Sequence, residues 1–126
     1  MERRILGKEA ETAARDYLIA QSLKIICENF NCKRGELDLV AFHKGVLIIV
    51  EVRMRSKSDF GGAAASVSGR KRMRIIRATQ YFLLRQPELR RFPVRFDVVA
   101  LDNPVEPDLK GIVWLRSAFQ VVRPRD

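Results

Sequence analysis

Four charged residues bracket a stretch built for burial. In residues 35–53, GELDLVAFHKGVLIIVEVR, apolar runs at 39–42 and 46–50 lie between Glu36 and Asp38 on one side and Glu51 and Arg53 on the other. Lys44-Gly45 supplies a two-residue turn, with glycine where positive φ is needed. Counting outward from that turn sets His43 opposite Val46, then Asp38 opposite Glu51 and Glu36 opposite Arg53. Strand alternation puts Glu36, Asp38, Val40 and Phe42 on one face with Leu47, Ile49, Glu51 and Arg53. Opposed Cβ atoms lie about 4.5–5.5 Å apart, and two carboxylates there repel unless a cation or a proton sits between them. A divalent metal meets that need: Mg²⁺ takes one or two carboxylates and completes its shell with water and phosphate oxygens. So held, it polarises a phosphodiester, acidifies a bound water and orients the attack. Arg53 would stabilise negative charge building on the phosphate oxygens. The same spacing also fits a solvated sheet end at which Glu36 and Arg53 form an ordinary cross-strand ion pair. A one-residue slip in register would move every side chain to the other face.

The surrounding elements must position these residues. Residues 5–21 read as a helix with a narrow apolar stripe of Leu6, Ala10, Ala13, Ala14, Tyr17 and Leu18. A strand at 23–30 and a turn at 31–35 lead into the hairpin. Residues 54–69, rich in Gly, Ser and Ala, read as a loop of the length that lids and binding loops have, or as plain surface. A second helix spans 70–85, with Met73, Ile76, Thr79 or Gln80, and Leu83 as its inner face. Arg70, Arg74, Arg77, Tyr81 and Arg85 follow helical spacing along an outer face. Gln86-Pro87 ends it. VRFDVVAL, at 94–101, reads as a strand, 103–107 as a loop and 111–116 as a last strand before a short basic tail. The order, αβββαβ, predicts an α/β fold with a central mixed sheet flanked by helices.

With 126 residues and 47% apolar content, residues 1–126 are expected to form one domain with a sizeable core. The net charge of +9 favours a polyanionic partner, nucleic acid before an acidic membrane. A solvated basic surface is the plainer alternative. MERRILGKEAE lacks the apolar segment and cleavage site of a signal peptide, and the longest apolar run, VLIIV, falls far short of a membrane span. Cys27 and Cys32 read as free thiols, and a zinc site would lack partners because His43 is the only histidine. A cytoplasmic protein that does not enter the membrane is expected.

GELDLV and VEVR resemble the GE-(I/L)-DL and EVK signatures of the YraN-like family of bacterial proteins. The resemblance continues through EAETAARDYL before them and FGGAAASVSGRKR, RFDVV and WLRSAF after them, across nearly the whole chain. That family is similar to archaeal Holliday junction resolvases, within the restriction-endonuclease-like PD-(D/E)XK superfamily. The resemblance implies a restriction-endonuclease-like fold and a metal-dependent nuclease centre. Asp38 and Glu51 match the two metal-binding carboxylates, with the backbone carbonyl of Val52 as a further ligand. Glu11 matches an acid of the first helix that reaches into the same site, and on the helix it borders the buried stripe. Two positions depart from the pattern. Ala10 replaces a glycine, and Arg53 stands where the superfamily has its catalytic lysine. Arginine keeps the charge but cannot lose a proton near neutral pH.

The leading expectation is an Mg²⁺- or Mn²⁺-dependent endonuclease acting on DNA, extending to branched or otherwise structured DNA. Asp38, Glu51 and Val52 would hold the metal, Glu11 and Arg53 would complete the catalytic set, and Arg70, Lys71, Arg74 and Arg77 would position phosphates without reading sequence. Paired cuts across a junction would call for a homodimer. The alternative is a non-catalytic nucleic-acid-binding module on the same fold, its turnover lost at Arg53. A third reading is an assembly factor whose basic face binds an acidic protein.

Overall fold

The computed structural model describes residues 7–55, 67–102 and 111–121. At its centre Lys44 and Gly45 both take positive φ, 50° and 78°, the combination that matches the right-handed twist of two antiparallel strands. This turn joins β2 (Gly35–His43) to β3 (Val46–Arg55). Their pairing is the register expected from the turn, from His43–Val46 through to Leu39–Val50, where it ends. β1 (Lys24–Cys32) pairs antiparallel with β2, across a turn at Lys33 and Arg34. β4 (Val94–Asp102) runs parallel to β3, and β5 (Ile112–Phe119) closes the order β1-β2-β3-β4-β5. The parallel step requires a crossover. It contains helix α2 (Gly69–Arg85) and a short 3-10 turn at Pro87–Arg91.

Strand alternation sends side chains to two cores. On one face α1 (Gly7–Ala20) seats Ala10, Ala14 and Leu18 on Leu39, Ala41, Ile48, Val50, Val99 and Leu101. The small residues of α1 let its backbone approach the sheet closely. On the other face α2 seats Ile75, Ile76, Ala78 and Phe82 on Val40, Leu47, Ile49, Phe96, Val98 and Ala100. Each fully buried Leu, Ile or Val contributes about 1.5–3 kcal/mol. The result is an α/β fold, a mixed five-stranded sheet between two helices, consistent with a restriction-endonuclease-like core. No helix among the described residues is long and apolar enough to cross a membrane.

Several details differ from the sequence expectation. Of the inner face expected for α2, Ile76 and Thr79 are buried and Leu83 packs against the core, while Met73 is 48% exposed and Gln80 is also exposed. The buried face extends instead to Ile75, Ala78 and Phe82, because it is there that the helix meets the sheet. Cys32 ends β1 instead of lying in the turn; both cysteines are free thiols. The last strand runs on to Phe119 because β5 bulges, with Phe96–Phe119 and Val98–Leu115 pairing on either side of the irregularity. Asp97, fully buried, pins that bulge. Its carboxylate accepts hydrogen bonds from Arg95 (2.9 Å, twice), Trp114 Nε1 (2.8 Å) and the Ser117 amide (2.9 Å). Thus the RFDVV and WLRSAF segments serve each other structurally. Of the loop expected at 54–69, Met54 and Arg55 extend β3, Val67 is buried and Ser68 caps α2. Residues 56–66, the loop expected at 103–107, Leu6 and the basic tail from 122 lie outside the described residues.

Candidate active site

The candidate site forms where β2 and β3 part. Beyond Leu39–Val50 the ladder stops, and the Asp38 carboxylate takes over: its Oδ2 accepts the Val52 amide at 2.8 Å. A side chain here substitutes for a strand carbonyl, as short acidic side chains readily do. Leu47 donates its amide to Pro93 on the β4 side, so the even-numbered residues of β3 turn amide and carbonyl toward β2. The Val52 carbonyl therefore faces the same gap as Asp38.

Alternation breaks at this point, which corrects the face expected for Glu36. Leu37 shares the α2-side core with Val40, whereas Leu39 lies in the α1-side core. Glu36 pairs with Asn31 of β1 instead of continuing the hairpin to Arg53, and its charge falls near Glu11 of α1. Asp38 is left between the layers, half-buried in the plane of the sheet.

Three acids meet there from three elements. Asp38 makes side-chain hydrogen-bonding contact with both Glu11 and Glu51. Two carboxyls in such contact need a shared proton or a cation. Glu51 is only 5% exposed. Burial, and then the charge of Asp38, push its carboxyl up to about 7, against the opposing pull of Lys71. Burial also raises Glu11, as do the charges of Asp38 and Glu36, while a hydrogen bond from Asn29 lowers it. Lys71 reaches in from α2, with Nζ 3.3 Å from Glu51 Oε1. Arg53 shares the α2-side face with Glu51, beside Ala100 of β4. A cavity of about 800 Å³ between α2 and the β4–β5 edge, lined by Ile76, Leu83, Phe92 and Phe119 among others, includes none of these acids.

Carboxylate oxygens are the donors that a hard divalent cation takes, and at Glu51 such a cation would meet the Lys71 ammonium already there. Among the described residues no three His, Cys, Asp or Glu side chains form a ligand group by themselves. The chain would thus offer the Asp38–Glu51 pair and the Val52 carbonyl, a complement Mg²⁺ typically accepts with water and phosphate filling the rest.

Of the residues singled out from sequence, the structure brings together Glu11, Asp38, Glu51, Val52 and Lys71. Arg70, Arg74 and Arg77 stay exposed along α2. Arg74 lies over the start of β2, where a Cβ on Gly35 (φ +154°) would meet the Arg74 carbonyl oxygen at 3.0 Å. Lys33 and Arg34, exposed in the turn just before Gly35, extend the basic rim. Sequence reasoning grouped Lys71 with the outer arginines and missed its contact with Glu51. Its place in a helical first turn without acids was the available signal. Asn29 gave none.

The match to known proteins is extensive. The model of the family described as "Uncharacterised protein family UPF0102" matches residues 10–101. A UPF0102 protein of Pseudomonas fluorescens is 44% identical over 113 residues, 90% of this chain and 91% of the relative. One from Alcanivorax borkumensis is 41% identical over 116 residues, covering 90% of each chain. One from Legionella pneumophila is 38% identical over 113 residues, 90% of this chain and 92% of the relative. Similarity of this extent, with the family model spanning the hairpin and both helices, bears out the YraN-like resemblance: the chain belongs to the UPF0102 family.

Proposed function

We propose that the protein is an Mg²⁺- or Mn²⁺-dependent endonuclease of the cytoplasm that hydrolyses DNA phosphodiester bonds, branched or structured DNA included. One observation carries the reading. Glu11, Asp38 and Glu51 converge from α1, β2 and β3 at a gap in the sheet, bordered by exposed arginines that suit a phosphate backbone. A bound divalent cation would polarise the phosphate and generate the water nucleophile. In the hydrolysis a P–O bond forms from water, the P–O bond to one sugar oxygen breaks, and that oxygen leaves with a proton. Asp38, anchored by the Val52 amide, would help hold the cation through its other oxygen. Glu51 would supply a second, desolvated oxygen, and Glu11 would orient Asp38 from the α1 side. Arg53 faces charge developing on the phosphate, and Arg70, Arg74 and Arg77 hold the flanking backbone.

The test is cleavage of linear, flapped and four-way DNA with and without Mn²⁺, beside Asp38→Asn. Mn²⁺-dependent cutting that Asp38→Asn abolishes supports the reading. Equal trace cutting by both proteins identifies a contaminant and sinks it. Binding of DNA without any cutting supports the alternative, a non-catalytic binding module, which the arginine at position 53 favours.

A further inference from the structure

We propose that Lys71 is the tethered cation of this site. In the resting protein it neutralises Glu51, competing there with a divalent metal, and in the working protein its ammonium contacts a non-bridging oxygen of the phosphate being cut. The inference deepens the nuclease reading and rests on it.

The geometry is specific. Glu51 is buried, yet Lys71, whose Nζ is 3.3 Å away, has a side chain still 35% exposed. The ammonium thus links the floor of the site to the open surface, where a polymer would lie. Its backbone is fixed: Ser68 caps α2, and its Oγ accepts the Lys71 amide at 3.2 Å. The stem remains free to swing, as four methylenes carrying a compact point charge allow.

A second observation is independent of that contact. The first turn of α2 holds Arg70, Lys71 and Arg72 and no acid. The positive end of a helix dipole disfavours cations and favours anions. Where a capping box would set Glu or Gln to reach back to Ser68, this chain has Lys71. Such a departure from local preference is expected where a site needs the residue. The cations and the helix N-terminus together present positive charge beside Glu51, matched to an approaching phosphate.

The test compares wild type with Lys71→Ala and Lys71→Gln, with Arg70→Ala as a phosphate-holding comparison from the same turn and Arg90→Ala as an exposed basic control away from the site. Mn²⁺ binding is followed by EPR without DNA. Removing the competing cation should tighten Mn²⁺ binding several-fold in both Lys71 variants and leave Arg90→Ala unchanged. Single-turnover cleavage at saturating DNA should fall about 10²-fold in both Lys71 variants, while DNA affinity measured in Ca²⁺ changes no more than in Arg70→Ala. Unchanged or weaker Mn²⁺ binding overturns the inference, and so does a wild-type cleavage rate at saturation. A wild type that cuts no DNA and binds no Mn²⁺ overturns the nuclease reading itself, and this inference with it.

Discussion

Glu51 is where opposing demands meet. Its side chain must be buried to sit beside Asp38, yet its charge is useful only if a cation answers it. With no metal, burial and Asp38 hold its carboxyl near 7, above the ordinary value of 4.5. Between those values the folded state binds the proton more tightly than the unfolded chain does. The stability this group contributes is therefore full below about pH 4.5 and lost as pH rises through 7. At 1.36 kcal/mol per pKa unit, the loss is up to about 3 kcal/mol. Urea unfolding of wild type and Glu51→Gln in chelator at pH 5 and pH 8 measures it. Wild type should lose stability relative to the variant at the higher pH, and Mn²⁺ should restore it. A difference that stays flat with pH would mean that Glu51 is ionised throughout.

At the scale of elements, the site depends on junctions between strand and helix. Gly35 begins β2 at φ +154°, directly under the backbone of α2. Gly35→Ala would strain that backbone and press a methyl group toward the Arg74 carbonyl, costing on the order of 1–3 kcal/mol. A thermal melt would show the loss, and DNA binding at low temperature should weaken as α2 shifts from the turn at Lys33 and Arg34. Asp97 guards the other side of the sheet. Asp97→Ala strands Arg95, Trp114 and the Ser117 amide in the β5 bulge, and breaking such a buried pair costs about 3–5 kcal/mol. Denaturant unfolding should give a large drop in midpoint. Because Asp97 makes no contact with Glu11, Asp38 or Glu51 among those described, Mn²⁺ affinity of the folded fraction should stay unchanged.

For the whole molecule, the net charge is +9, and among the described residues some of the exposed bases stand beside an acidic notch. The exposed arginines of α2 and the turn before β2 form the basic rim, and the carboxylates occupy the gap between β2 and β3. On the nuclease reading, the rim supplies affinity and the notch supplies chemistry. Replacing Arg74 and Arg77 together by alanine should weaken duplex DNA binding regardless of sequence. It should also flatten the slope of log affinity against log salt by roughly 0.9 for each lost phosphate contact. An unchanged slope would show that this face points away from the DNA.

The sequence by itself determined the elements and the hairpin register. Two-residue turn chemistry at Lys44-Gly45 and a period of two in the flanking strands admit one pairing that buries both runs. That register holds from His43–Val46 to Leu39–Val50. The carboxylate pair was legible for the same reason, since Asp38 and Glu51 stand one step past the last of those pairs. Ile76, Thr79 and Leu83 of α2 were legible as inward, but only tertiary structure decided between Met73 and Ile75 at the edge of that face, because both fit helical spacing until the sheet offers a surface to one of them. It also decided the break in alternation at Asp38, where a side chain replaces a strand carbonyl and turns Glu36 toward α1. The approach of Glu11 was implied by the family resemblance, but only the fold decided that Lys71 meets the pair from the other face. Contacts among such distant segments follow from how two helices pack on the two sides of one sheet, and no local pattern in the chain encodes that packing.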